Sequence, residues 1–251
     1  MEHLSTENLS GHQGNWLETS TWLDIDKYLR RDNRLIVVFG SVEQHGQHLP
    51  IETDTIIARE IANKVSESTG VLVTQPLSLG NSAYHRAFPG TISLSALLHA
   101  RVVTEILIEL LRTGFSRLFL LTSHGGNVPS LQLAMAEAAE KIKGAEMRLL
   151  YILDIPEIQT AIRTELGESA GIHASANETS IMLYLRPDLV KPIPSSSILE
   201  SPPYWLSADE ARRRYPTGVW GGNPSVASPE VGETIVKKAL SYISRVVNAS
   251  I

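Results

Sequence analysis

The chain contains no cysteine among its 251 residues. Disulfides and thiolate metal sites are excluded together, which leaves histidine, aspartate and glutamate as the strong ligands for any metal. Long apolar runs are missing as well: none approaches the roughly 20 residues that a membrane span needs. The opening stretch, MEHLSTENLSGHQGN, has no basic segment followed by an apolar one, so no signal peptide is expected. Nor is there a basic excess. The formal net charge of −5 argues against nucleic acid or an anionic membrane as the main partner. The one basic cluster, Arg212-Arg213-Arg214, sits beside Asp209 and Glu210 and reads as a solvated helix face. A cytoplasmic location fits these absences. What is present is 43% hydrophobic residues, enough for a sizeable core. The expected organisation is a flexible N-terminal segment, residues 1–15, followed by a single domain over 16–251.

Leu35-Ile36-Val37-Val38-Phe39 is a continuous apolar strand of the kind found in a sheet covered on both faces. A short amphipathic stretch, Trp22 to Leu29, precedes it, and helical spacing of Ile57, Ile61 and Val65 predicts a helix from Asp54 to Ser68. Further strands are expected at Val71 to Val73, Leu118 to Leu121 and Arg148 to Leu153. Helices are expected at Leu94 to Arg112, Pro129 to about Lys143, Pro156 to Leu166 and Ala176 to Leu185, and a last one capped by Ser228 runs to about Val247. This alternation predicts an α/β fold, a three-layer α/β/α sandwich with a mostly parallel central sheet. The Pro-, Ser- and Gly-rich stretch from Pro192 to Gly222 reads as a surface excursion, and His173 falls in a loop before the Ala176 helix.

The run FGSVEQHGQHLPIETDT, Phe39 to Thr55, releases Glu43, His45, His48, Glu52 and Asp54 directly after the first strand. In α/β proteins the crevice beyond the carboxyl ends of strands is where ligands bind. Glu43 and His45 are two apart and, in extended backbone, point the same way. His124 leaves the next strand in Ser123-His124-Gly125-Gly126-Asn127, and Glu178 sits near the start of the Ala176 helix. Two imidazoles and three carboxylates suit two divalent ions if one carboxylate bridges, and a two-metal site is suited to hydrolysis. Each residue also has a plainer reading. Asp54 can be a helix cap, Glu178 a charge favouring the helix dipole, and His124 a tight-turn histidine. His48 and Glu52 are the weakest members. His85, beside Tyr84 and Arg86, reads equally as a pocket, subunit-contact or surface residue, and His3, His12 and His99 as structural or incidental. A phosphate-cradling role for Gly125-Gly126 is disfavoured because neither glycine-rich phosphate motif is present.

The stretches GSVEQHGQHLPIETD, FPGTISL, SHGGN, HASANETS and GGNPSVASPEVGE, in this order, resemble the creatininase (creatinine amidohydrolase) family of metal-dependent hydrolases. The resemblance extends from about Leu29 to Val247. It implies a creatininase-like α/β/α sandwich, two divalent metal ions per chain, zinc or manganese, and a homohexamer. It implies cleavage of a C–N bond in a small-molecule substrate, a cyclic amide, formamide or related amide. Residue by residue, it makes Glu43 and His45 ligands of different ions, Asp54 the bridge and His124 a ligand of one ion. Where creatininases proper carry an acid two positions beyond that histidine, this chain has Gly126, and relatives with the HGGN form replace it with the glutamate of the ETS stretch, here Glu178. His173 matches the catalytic histidine that assists the departing nitrogen, and Asn127 or Ser123 would orient the oxyanion.

One departure affects the substrate. Creatinine-cleaving members have a glutamate immediately before the catalytic histidine, and here it is Ile172, which cannot take a proton. Glu178 or Glu168 would then have to serve as base, or the ions suffice, or the substrate is not creatinine. The family also holds a deformylase and a peptidase that matures a redox peptide. The rivals to a small-amide hydrolase are therefore a peptidase trimming a modified peptide and a metal-binding oligomer without turnover.

Overall fold

The computed structural model describes residues 15–195 and 205–249. Four parallel strands form its central sheet: β1 (Arg34–Phe39), β2 (Leu72–Val73), β3 (Arg117–Thr122) and β4 (Glu146–Tyr151), in the order β2-β1-β3-β4. β1 and β3 pair in continuous register from Arg34 opposite Arg117 to Phe39 opposite Thr122. The pleat divides β1 between two cores. Ile36 and Val38 pack with α2 (Thr53–Thr69), α5 (Pro156–Leu166), α6 (Ala176–Leu185) and α8 (Pro229–Asn248). Leu35, Val37 and Phe39 pack with Tyr28 of α1 (Trp22–Leu29) and with α3 (Ala96–Arg112) and α4 (Val128–Lys141) on the other face. The architecture is the expected three-layer α/β/α sandwich. Each apolar β1 side chain is almost wholly buried, which contributes up to about 1.5–3 kcal/mol per residue. That explains why the strand carries no polar alternation.

The connections decide where a ligand can bind. The chain leaves β1 through α2 on one face to reach β2, then returns through α3 on the opposite face to reach β3 on the far side of β1. Strand order therefore reverses between β1 and β3, which opens a crevice at their carboxyl ends. The loops carrying Glu43 and His124 both start there.

Most elements fall where periodicity places them, and α1, α5 and α6 match to the residue. Three do not. β4 begins two residues earlier than Arg148, because its ladder to β3 starts at Glu146 opposite Arg117, and Ile152–Asp154 turns into a 3-10 helix. His173 is the last residue of a short strand, β5 (Ala170–His173), not a loop residue. β5 pairs antiparallel with β6 (Trp220–Gly222). The Pro192 to Gly222 stretch is correspondingly not a surface excursion in its described part. It holds α7 (Ala208–Arg214), capped by Ser207, a fully buried Tyr215, and β6 itself. The three arginines of α7 are exposed as expected. His3 and His12 lie outside the described residues. No helix among the described residues is long and apolar enough to cross a membrane.

Candidate metal centre

Asp54 is the second residue of α2, and it is not a helix cap. Its Oδ2 accepts from Ser41 Oγ at 2.6 Å and lies 3.1 Å from His124 Nδ1 and 3.6 Å from His45 Nε2. Glu43 Oε1 is 3.3 Å from the same His124 nitrogen. Each histidine is anchored at its back. The Nδ1–H of His45 donates to the Glu43 carbonyl at 3.1 Å, and the Nε2–H of His124 donates to the Asn81 carbonyl at 2.8 Å. The other nitrogen of each ring faces the carboxylates, an orientation used by metal-binding histidines. Glu178 closes the cluster from the start of α6, with Oε2 accepting from Ala174 N–H at 2.5 Å and Oε1 3.9 Å from His45 Nε2. Ala174 adopts φ 50°, a left-handed conformation that costs about 1–2 kcal/mol in a residue with a Cβ. This turn lets β5 end at His173 while α6 begins three residues later, at Ala176.

Glu43, His45, Asp54, His124, His173 and Glu178 are all buried and all converge, so the six residues singled out from the sequence occupy one place. Donor atoms of Glu43, His45 and Asp54, and those of His45, His173 and Glu178, lie close enough together to hold a divalent ion. Two of the buried polar atoms, Glu43 Oε2 and His45 Nε2, have no hydrogen-bond partner. Such atoms are costly unless something else satisfies them, so the residues fit divalent ions.

Proton placement reflects the crowding. Burial alone would push His45 down, but the Asp54, Glu178 and Glu43 carboxylates drive it up to about 10, and Glu43 and Asp54 raise His124 in the same way. Burial also opposes ionisation of Glu43 and Asp54. The adjacent imidazoles outweigh it and hold both below the usual carboxylate range. Burial with the nearby Asp54 charge raises Glu178 to about 7. His173 and His85 are lowered, first by burial and then by neighbouring imidazoles.

Other candidates fall elsewhere. His48 is buried but belongs to none of the groups that could hold an ion, its Nε2 lying 2.8 Å from Thr179 Oγ1, and Glu52 is exposed. His99 is structural, hydrogen-bonded to Ser130 Oγ at 2.7 Å. Glu168 is exposed and does not line the cavity, which excludes it as a base. Asn127 does not line the cavity either. Its amide is used at both ends, donating to the Gly40 carbonyl at 2.8 Å and accepting from Asn81 N–H at 3.0 Å. Ser123 keeps a buried hydroxyl with no partner on the cavity wall.

His85 belongs to the site, an assignment its sequence context left open. Its ring stacks on His173 with centroids 4.3 Å apart, and its Nε2 lies 3.8 Å from Glu43 Oε1. The carboxylates form the floor of a cavity of about 640 Å³. Ile172, 56% exposed, lines one wall. Tyr84 and Trp205, stacked at 5.3 Å and 9°, line another together with Trp220.

A family model described as creatininase, creatinine amidohydrolase, matches residues 18–247. A creatinine amidohydrolase of Pseudomonas putida is 28% identical over 246 residues, covering 89% of this chain and 92% of that protein. A mycofactocin precursor peptide peptidase of Mycolicibacterium smegmatis is 33% identical over 163 residues, 61% of this chain. The match spans 58% of that peptidase, less than two thirds of its length. A solved creatininase described as the manganese form superposes with a TM-score of 0.86 at 26% identity, covering 94% of this chain and 98% of that one. A creatininase variant described as Zn-Zn type superposes with a TM-score of 0.84 at 25% identity, covering 94% and 97%.

Proposed function

Because this chain belongs to the creatininase family, we propose that it is a binuclear metal-dependent amidohydrolase that cleaves a C–N bond in a small amide. The observation that carries this reading is the buried cluster of three carboxylates and two imidazoles with unpartnered Glu43 Oε2 and His45 Nε2. Asp54 lies between His45 and His124 and would bridge two ions. Glu43 and His45 would serve different ions, His124 one of them, and Glu178 would complete the set. Zinc is the first expectation and manganese the second. Bound there, the ions would polarise an amide carbonyl and activate water.

The protein's own groups do the rest. The Glu43 and Asn81 carbonyls hold His45 and His124 in their ligating tautomers. The Ala174 N–H fixes Glu178. His173 accepts a proton from the attacking water at Nδ1 and delivers it to the departing nitrogen, and Ser123 donates to the substrate oxygen. Ile172 gives the cavity an apolar wall where creatinine-cleaving members have a carboxylate, which supports an amide other than creatinine. A peptidase reading is favoured by one observation: the aromatic rim of Tyr84, Trp205 and Trp220 around a cavity of about 640 Å³ has room for the end of a peptide. Exposed Ile92, Leu97 and Leu98 before and at the start of α3 support self-association, with a homohexamer as the expected assembly.

The test is hydrolysis of creatinine, a formamide and short peptide amides by zinc- and manganese-loaded protein, with Asp54→Ala as the blank. Turnover of any of them, lost in the blank, is expected. Full metal loading with no turnover of any would favour a metal-binding oligomer instead.

A further inference from the structure

Gln44 lies between His85 and His173, and the hydrogen bonds at its amide fix where the protons of both imidazoles sit. Its Oε1 accepts from Gly46 N–H at 2.9 Å, which identifies the oxygen end of the amide. Its Nε2 lies 3.1 Å from the Gly218 carbonyl, 2.9 Å from His85 Nδ1 and 3.0 Å from His173 Nε2. Three neighbours compete for two protons. His173 Nε2 is also 2.7 Å from the backbone carbonyl of Gln44, which only accepts, so that nitrogen carries its own proton and cannot receive another. The amide protons therefore go to Gly218 and to His85 Nδ1.

Opposite ends of the two rings consequently face the cavity. His173 presents a bare Nδ1, 3.5 Å from Glu43 Oε1, and His85 presents Nε2–H, 3.8 Å from the same oxygen. Both residues line the cavity and both are buried. The seat for the amide is built into the backbone. Gly218 has φ +80°, and a Cβ there would lie 2.0 Å from Gln44 Oε1.

We propose that Gln44 is a positioning residue that offers the bound amide one lone pair, from His173, and one N–H, from His85, and that His85 is a second substrate-facing residue donating to the substrate's acceptor oxygen. This rests on the amidohydrolase reading. It also separates His85 from the metal ligands, although donor atoms of Glu43, His85 and His173 lie close enough to share an ion, because a protonated Nε2 cannot ligate.

Neutron diffraction from deuterium-exchanged crystals of the zinc-loaded protein tests the proton positions. Deuterium is expected on Nε2 of both His85 and His173. Deuterium on His85 Nδ1, or zinc at His85 Nε2, would overturn the proposal. In Gln44→Glu a carboxylate replaces the donor, so the His85 deuterium should move to Nδ1 with zinc content unchanged. A His85 deuterium still on Nε2 in that variant would count against the role of Gln44, and if the variant fails to fold the native map decides alone. Acetate, a carboxylate like the product of amide hydrolysis, probes the donor. His85→Phe should bind acetate about tenfold more weakly than the zinc-loaded native protein, the loss expected of one hydrogen bond to a charged acceptor. His85→Asn, which keeps an N–H, should lose less. Equal affinity for His85→Phe and native protein would remove His85 from the substrate's side. None of these readouts needs turnover, so proton positions and acetate affinities as stated with no amide hydrolysed would sink the hydrolase reading and leave this assignment standing.

Discussion

Gly126→Asp places an acid where creatinine-cleaving members of the family carry one, two residues beyond His124, and the structure says that it will damage the site rather than restore it. A Cβ at Gly126 would lie 2.3 Å from the Asn81 carbonyl oxygen and 2.5 Å from His124 Nε2, the two atoms whose 2.8 Å hydrogen bond fixes the His124 ring. One contact is backbone and cannot swing away. Breaking that bond leaves a buried group unpaired, about 1–3 kcal/mol, and overpacking adds about 1–3 kcal/mol. The sum, about 2–6 kcal/mol, is a large share of the stability of an ordinary domain, about 5–15 kcal/mol. A loosened His124 should also weaken metal affinity about 10–100-fold. Urea unfolding of the metal-free protein reads the first quantity and chelator competition the second. Gly126→Ala separates crowding from charge, since it brings the same Cβ without the carboxylate. Native stability and native metal affinity in Gly126→Asp would refute the reasoning and show that an acid fits beside His124.

Three further outcomes are expected. Asp54→Ala should lose both ions and all activity, because its carboxylate faces both His45 and His124; elemental analysis finding one ion retained at full occupancy would contradict the bridging role. His173→Ala should keep its metal and lose about 10²–10⁴-fold in kcat, and full turnover by this variant would remove His173 from the mechanism. The metal-free protein should lose stability as pH rises. His45 is raised from 6.5 to about 10, so its contribution is fully present below about pH 6.5 and is lost as pH climbs through 10; His124, also raised, and Glu178, raised from 4.5 to about 7, act in the same direction. Metal binding requires neutral imidazoles and should tighten over the same range. Calorimetry of the metal-free protein showing a Tm that rises between pH 6.5 and 10 would contradict this.

The sheet was legible because β1 and β3 are buried on both faces, so their sequences are unbroken apolar runs, and α5 and α6 carry clear start signals in Pro156 and the Ala176 stretch. β5 and β6 left no such trace. Ala170-Gly171-Ile172-His173 and Trp220-Gly221-Gly222 are short and glycine-containing, and their pairing joins residues about 50 positions apart, which no local pattern encodes. The convergence of Glu43, His45, Asp54, His124 and Glu178 was readable from strand ends and motif order. The place of His85 was not. Its loop contains a histidine between Tyr84 and Arg86, but only the tertiary fold brings its ring against His173 and Gln44. Asn127 misled for the opposite reason: a polar side chain after a strand end looks available, yet its amide joins the loops of Gly40 and Asn81.

The most direct test of the central claim is the metal content of the purified, reconstituted protein, measured by elemental analysis against chain concentration. Two zinc or manganese ions per chain are predicted. No bound metal after reconstitution would contradict the account, since the buried Glu43, His45, Asp54, His124 and Glu178 cluster would then have to be explained by protons alone.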